Sequence, residues 1–312
     1  MIVCCGEALI DMIPAKCGEL QEDGFIPRAG GSVFNTAIAL GRLGSGPKFL
    51  SCLSRDMFGD LLEQTLVNSR VGNDLCLRAD RPSTMAYVKL TNGNATYVFY
   101  DENSAGRMIK PTDIPAIPDE VSTLFFGGIS LAVEPCADTY ADLAIREGTE
   151  RVVMVDPNIR PGFIADETRF RERLRQMFQI TDIVKVSDED LEWLVPGDMT
   201  DQERAEKIIQ QGPQLVLVTA GGDGVTCFAA DGRSIKKEIT PVEVVDTVGA
   251  GDTFNAGFLH SLHANGLLVK GRIGQLTDDQ ILKALGLGTQ AAGVVVARSG
   301  ANPPWADELD VL

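Results

Sequence analysis

Asp246-Thr247-Val248-Gly249-Ala250-Gly251-Asp252-Thr253-Phe254-Asn255-Ala256-Gly257-Phe258 sets a turn of small residues directly ahead of a helical stretch. The backbone N–H groups of Gly249, Ala250 and Gly251 would lie at the positive end of the helix dipole, with no side chains to block approach, and form an anion site. Asp252 beside them is ill suited to binding an anion and well suited to handling a proton next to one. An aspartate there can accept a hydroxyl proton while the N–H groups hold charge developing on a transferring phosphoryl group. A bare G-x-G-D turn more often reads as a helix start with an acidic first turn. The surrounding sequence decides between the two.

Upstream of this stretch, short apolar runs alternate with longer amphipathic ones, the pattern of βα units around a mostly parallel sheet. Strands are expected at 2–10, 49–53, 123–126, 151–155, 182–186, 215–219 and 225–229. Helices are expected at 33–43, 59–68, 137–147, 167–178, 202–211, 250–263 and 279–297. Two segments break the rhythm. Residues 84–90 and 95–100 alternate about Thr91-Asn92-Gly93-Asn94, where Asn-Gly tolerates the positive φ of a hairpin turn, and 12–27 is a second extended stretch. Strands without partner helices read as a small sheet standing off the main one, either a lid or a solvent-facing hairpin.

Gly30-Gly31-Ser32-Val33-Phe34-Asn35 repeats the logic of the C-terminal turn, with two glycines, a Ser placed to cap, and a helix of small and apolar residues. Gly30 and Gly31 allow a ligand to touch the backbone, and Asn35, one turn in, offers a donor and an acceptor to hydroxyl groups. Asp11, at the end of the first apolar run, would emerge on the C-terminal edge where open α/β sheets bind ligands. A carboxylate and an amide facing one cleft suit a polyol.

The 312 residues are enough for a substantial core, and 44% hydrophobic with 23% charged residues is a folded composition. A net charge of −16 argues against a protein built to lie along nucleic acid or anionic lipid. No apolar run approaches a membrane span and no basic leader opens the chain, so a cytoplasmic protein is expected. Seven scattered cysteines with no C-x-x-C spacing read as reduced core thiols. Pro47 stands where a Walker A loop needs Lys, and Gly286-Leu287-Gly288-Thr289-Gln290-Ala291 lies inside a helical stretch, which favours helix packing over dinucleotide binding.

With Gly-Gly-x-x-x-Asn at 30–35 and Asp-Thr-x-Gly-Ala-Gly-Asp-x-Phe at 246–254, the chain resembles the PfkB or ribokinase-like family of carbohydrate kinases along its whole length. The resemblance implies a three-layer αβα fold with a small inserted β lid: a main domain of 1–11, 29–82 and 105–312, and a lid of 12–28 and 83–104. It implies an ATP-dependent sugar kinase of fructokinase type, with 2-keto-3-deoxygluconate kinase or another sugar or nucleoside kinase of the family as the alternative and a non-catalytic sugar or nucleotide sensor of the same fold as the reading from another class. Asp252 is then the base, and Gly249, Ala250 and Gly251 form the anion hole. Asp11, Gly30, Gly31, Asn35, Phe99, Arg107 and Asn158 face the sugar. Asp156-Pro157-Asn158-Ile159-Arg160-Pro161 resembles a fructokinase segment in which Arg160 reaches toward substrate or phosphate. Lys185, Ser187, Thr219, Gly221, Gly224 and Thr289 join Gly249 and Gly251 around ATP.

Asp190 implies Mg²⁺ held through water, although Ser187 and Asp190 replace the Asn and Glu usual in that motif. Asp246 and Val248 match a monovalent-cation site of the K⁺ kind. The same resemblance implies a homodimer through the lid, with sugar and ATP as the small-molecule partners.

Overall fold

The computed structural model describes residues 1–19, 21–91 and 94–309, with backbone alone for 88–91 and 94–97. In chain order the elements are β1 (Ile2–Cys5), β2 (Leu9–Cys17), β3 (Glu22–Gly30), α1 (Ser32–Arg42), β4 (Lys48–Leu50), β5 (Cys52–Ser54), α2 (Met57–Asn68), β6 (Leu77–Ala79), β7 (Thr84–Thr91), β8 (Asn94–Tyr100), β9 (Thr123–Gly127) and α3 (Cys136–Glu147). They continue as β10 (Val152–Asp156), α4 (Glu167–Phe178), β11 (Ile183–Ser187), α5 (Asp188–Leu194), α6 (Asp201–Ile209), β12 (Leu215–Thr219), β13 (Val225–Ala229), β14 (Ser234–Lys237), α7 (Ala250–Ala264) and α8 (Asp278–Val296).

The main sheet has eight strands in the order β14-β13-β12-β11-β10-β9-β1-β4. It is parallel from β12 to β4, and β13 and β14 add an antiparallel edge. Its central strands are buried on both faces, as a helix-covered parallel sheet requires. β1 shows how: Ile2 and Cys4 pack with Phe34, Phe258 and Leu285 on one side, while Val3 and Cys5 pack with Phe126, Tyr140 and Leu174 on the other. Two cores back to back make the three layers of an α/β protein.

A separate four-stranded sheet, β3-β2-β7-β8, joins the hairpins β2/β3 and β7/β8 through a parallel β2–β7 pair. The expected Asn92-Gly93 turn lies outside the described residues. β5 and β6 form a two-stranded ribbon beside it.

Several local expectations are corrected. The run 2–10 is two strands in two sheets, because the chain must turn at Gly6, where a Cβ would come 2.5 Å from Val33 Cγ2. The run 49–53 likewise divides into β4 and β5. β14 was concealed by its polar Ser-Ile-Lys-Lys sequence, as befits an edge strand. α5 was concealed by its brevity and its opening Asp-Glu-Asp, an acidic first turn capped by Ser187.

The helical glycines of the C-terminal region serve packing: a Cβ on Gly257 would lie 2.7 Å from Leu287 O, and one on Gly288 would lie 2.8 Å from the Phe254 ring. α7 and α8 thus touch backbone to backbone. All seven cysteines are free thiols, and among the described residues no helix is long and apolar enough to cross a membrane.

Candidate active site

Gly249 caps α7 with φ 80°, a left-handed conformation in which a Cβ would also strike Ala301 at 2.7 Å. The N–H groups of Gly251 and Asp252 in the first turn have no intrahelical acceptor. That of Ala250 reaches Thr247 O at 3.3 Å, so of the three donors the sequence offered Ala250 is already engaged. Lys185 Nζ sits against this helix start, 2.9 Å from where a Gly251 Cβ would be. An ammonium and a helix N-terminus therefore converge on one point.

Asp252 is buried and gripped by α1. Its Oδ1 accepts from Ser32 Oγ at 2.8 Å, its Oδ2 from Asn35 Nδ2 at 2.9 Å, and its backbone carbonyl from Thr36 Oγ1 at 3.1 Å. Burial pushes its carboxyl up to about 6 despite the hydrogen bonds from Asn35 and Ser32, which pull the other way. Ser32, which the sequence placed to cap its helix, does not do so; its hydroxyl is turned to the aspartate.

The capping falls to Glu7, which the sequence reading missed. Its Oε1 accepts from the N–H groups of Ser32 at 2.9 Å and Val33 at 3.4 Å, and its Oε2 from that of Ser130 at 3.3 Å. A Cβ on Gly128 would lie 2.1 Å from Glu7 Oε1, so a glycine is required there. Burial raises the Glu7 carboxyl to about 7. No local signal could have found it, because Ser32 stood in sequence where a cap was expected and Glu7 lies 25 residues away.

A polar chain extends from Ser32 across the C-terminal edge of the main sheet. Asn158 Nδ2 donates to Ser32 Oγ at 2.7 Å, and the backbone N–H of Asn158 donates to Asp156 Oδ1 at 3.2 Å. Asp156 Oδ2 accepts from Lys185 Nζ at 3.2 Å and from Asn255 Nδ2 at 2.7 Å. Asp156 and Asn255 are buried members of this cluster to which the sequence reading gave no role. Asp190 lies next to it, its carboxyl raised by burial and then by the charge of Asp156, and lowered by Lys185, the Ile159 N–H and Arg160. Arg160 itself donates to Ile159 O at 3.0 Å and is exposed.

Asp11 comes from the four-stranded sheet, and its carboxylate has no hydrogen-bond partner among the described residues. Its carboxyl stands at about 6, raised by burial and by the charge of Asp252. A Cβ on Gly30 would lie 2.3 Å from Asp11 Oδ2, and one on Gly31, at φ 110°, 3.0 Å from Glu7 O. Phe99, on β8, meets Phe163 edge-on with centroids 4.3 Å apart, which joins the second sheet to the segment after Arg160. Arg107 is engaged elsewhere: its Nε donates to Glu134 O at 3.0 Å and its Nη1 stands 3.6 Å from Asp101.

The remaining expected residues come from β11, β12 and the segments that follow them. Ser187 and Thr219 are partners in register at the ends of β11 and β12. Ser187 Oγ accepts from Asp190 N at 3.0 Å, and Thr219 Oγ1 donates to Val186 O. Gly221 (φ 47°) faces open space, whereas a Cβ on Gly224 would meet Lys237 O at 2.4 Å. Thr289 lies on α8 and bonds Gly286 O. Asp246 ties two loops together, accepting from Val248 N at 3.0 Å and Gly300 N at 2.8 Å. Among the described residues no three His, Cys, Asp or Glu side chains converge as a metal centre. Asp190 is a single carboxylate and fits a cation held through water.

Residues 1–308 match the family described as pfkB family carbohydrate kinase. The chain is 49% identical over 284 residues to a fructokinase of Rhizobium leguminosarum bv. trifolii, covering 91% of this chain and 86% of that protein. Among solved structures, the ATP-bound fructokinase of Xylella fastidiosa aligns with TM-score 0.84 at 25% identity, covering 96% of this chain and 93% of that one. The aminoimidazole riboside kinase of Salmonella enterica, complexed with its riboside and an ATP analogue, aligns with TM-score 0.83 at 24% identity over 98% and 97% of the two chains, a likeness of fold.

Proposed function

Since the chain belongs to the pfkB family of carbohydrate kinases, and is therefore a phosphotransferase with an alcohol acceptor, we propose that it transfers the γ-phosphoryl group of ATP to a hydroxyl of fructose. The nearly half-identical Rhizobium fructokinase supports the sugar, and the ATP-bound Xylella fructokinase supports the nucleotide. The observation that carries the chemistry is Asp252, buried, with both oxygens held and a helix N-terminus and Lys185 beside it.

In this reading the sugar hydroxyl lies against Asp252, which takes its proton as the hydroxyl oxygen attacks. A carboxyl near 6 is ionised at neutral pH and more basic than a surface aspartate, which suits a general base. Asp11 accepts from a second sugar hydroxyl, and Asn35 and Asn158 hold the Asp252–Ser32 pair in line. The N–H groups of Gly251 and Asp252, with Lys185, receive the charge of the transferring phosphoryl group. Arg160 adds a cation at the edge, while Ser187, Thr219, Gly221, Gly224 and Thr289 line the nucleotide. Mg²⁺, when bound with ATP, neutralises phosphate charge; Asp190, whose carboxyl is raised by burial and by the charge of Asp156, would hold it through water. Asp246 leaves lone pairs for a monovalent cation beside Val248.

The four-stranded sheet would act as the lid, broadly 12–28 and 83–104. Its outward face carries Phe25, Val98 and Tyr100 at 45%, 53% and 59% exposure, an apolar patch suited to a second copy of the chain. Seven free thiols suit a reducing cytoplasm.

Measuring ADP release with hexoses, pentoses, sugar acids and nucleosides tests the reading. Fructose is expected to give the highest kcat/KM. Preference for 2-keto-3-deoxygluconate would replace the substrate, and no sugar-dependent ADP release would leave only a binding protein.

A further inference from the structure

Away from the catalytic edge, a depression of about 450 Å³ opens between the β5/β6 ribbon and the segment 105–113. Arg78, Arg81 and Lys110 line it against one carboxylate, Asp113, in a chain whose net charge is −16. Arg78 is committed to Asp60 at 2.6 Å and Glu63 at 3.0 Å, and Asp113 is turned back to the N–H of Lys110 at 2.9 Å. Arg81 and Lys110 are exposed and have no ion-pair partner among the described residues. The floor between them is apolar, formed by Leu77, Met108 and Ile109.

The walls are two of the crossings that join the four-stranded sheet to the rest of the molecule. Arg81 lies between β6 and β7, and Lys110 follows the return from β8. The crossings are already tied together, Ala105 N to Pro82 O at 2.9 Å and Thr84 Oγ1 to Asp101 and Ser104 at 2.6 and 2.8 Å. A ligand spanning both walls would stiffen that joint.

We propose that this depression is a second, regulatory site for a small phosphate ester: Arg81 and Lys110 take the phosphate, and the apolar floor takes the organic body. Two uncommitted cations lining one depression from separate segments suit a dianionic group, and the position lets occupancy bias the setting of the four-stranded sheet. The site does not depend on which sugar is phosphorylated.

Calorimetric titration of the full chain with fructose 6-phosphate tests it, with inorganic phosphate as a second arm. The ester is expected to bind saturably, at least about tenfold tighter than inorganic phosphate, and to weaken at least about tenfold in Arg81→Glu/Lys110→Glu, whose turnover without added ester stays at the wild-type level. Hydrogen exchange across 77–83 and 101–110 should slow in the wild type on adding the ester, and not in the double variant. Unchanged binding in that variant overturns the proposal, as does loss of binding in Asp252→Asn alone, which would place the ester at the catalytic edge. Equal affinity for inorganic phosphate removes the role of the apolar floor and overturns the assignment to an ester.

Discussion

Asn35 Nδ2 donates to Asp252 Oδ2 at 2.9 Å, a bond between residues 217 positions apart that joins the start of α1 to the start of α7. The two glycine-led helix starts are thereby one device, the first aiming the carboxylate and the second surrounding it with positive potential. Asp252→Asn keeps the volume and removes the proposed base. Its kcat should fall by a factor on the order of 10² to 10⁴ with KM for the sugar little changed. A variant with near-normal turnover would remove Asp252 from the chemistry.

Asp252 and Asp11 each stand at about 6 in the folded chain, against 3.8 for the free group. The proposed proton transfer needs Asp252 ionised, so kcat should rise with pH through about 6 and level off above it. Stability runs the other way. Between about pH 4 and 6 the folded chain binds more protons than the unfolded one, so the stability these groups contribute is complete below pH 4 and lost as pH rises through 6. Melting curves of wild type and Asp252→Asn at pH 4.5 and 7.5 check the sign: the variant's Tm relative to wild type should be higher at pH 7.5. A difference independent of pH would contradict the buried-carboxylate reading.

Gly30 leaves room for Asp11, whose Oδ2 would lie 2.3 Å from a Cβ at that position. Gly30→Ala should displace the carboxylate and raise KM for the sugar about tenfold, equivalent to losing one hydrogen bond, with a smaller effect on KM for ATP. Steady-state kinetics with each substrate varied separates the two. Equal changes in both constants would mean a general distortion.

Glu7 touches neither Asp252 nor the cleft; it positions them through α1. Gln at this position can still accept from Ser32 N, but its amide would face the Ser130 N–H that now donates to Glu7. Glu7→Gln should lower kcat by roughly ten- to a hundredfold through misplacement of Ser32 and Asn35, and it should cost about 1–3 kcal/mol of stability for the unpaired buried group. A Tm loss with an intact kcat would make Glu7 a structural residue only.

Tyr100 stacks edge-on with Tyr87 at 5.5 Å, and Tyr87 with Phe25 at 5.3 Å, on the outward face of the four-stranded sheet. If that face joins two copies, Tyr100→Glu should convert a dimer to a monomer in light scattering at micromolar concentration, with α/β circular dichroism retained. A wild-type chain that is already monomeric there would refute the interface.

What the sequence determined by itself was local and periodic. The bounds of α4, β12 and β13 follow from hydrophobic spacing, and the glycine turn before α7 marks a helix start because only small residues leave backbone N–H groups open. The tertiary structure decided whatever depends on which segments meet. The apolar run 2–10 is uniform in sequence, yet contact of Gly6 with α1 splits it between two sheets. Glu7 caps a helix 25 residues away, and Asp156 pairs with Lys185 and Asn255, 29 and 99 residues distant. Such partners follow no spacing rule, because burial makes a buried carboxylate find donors wherever the fold brings them. The sequence thus singled out Asp252 as a candidate base, and packing supplied the groups that hold its carboxylate and raise its pKa.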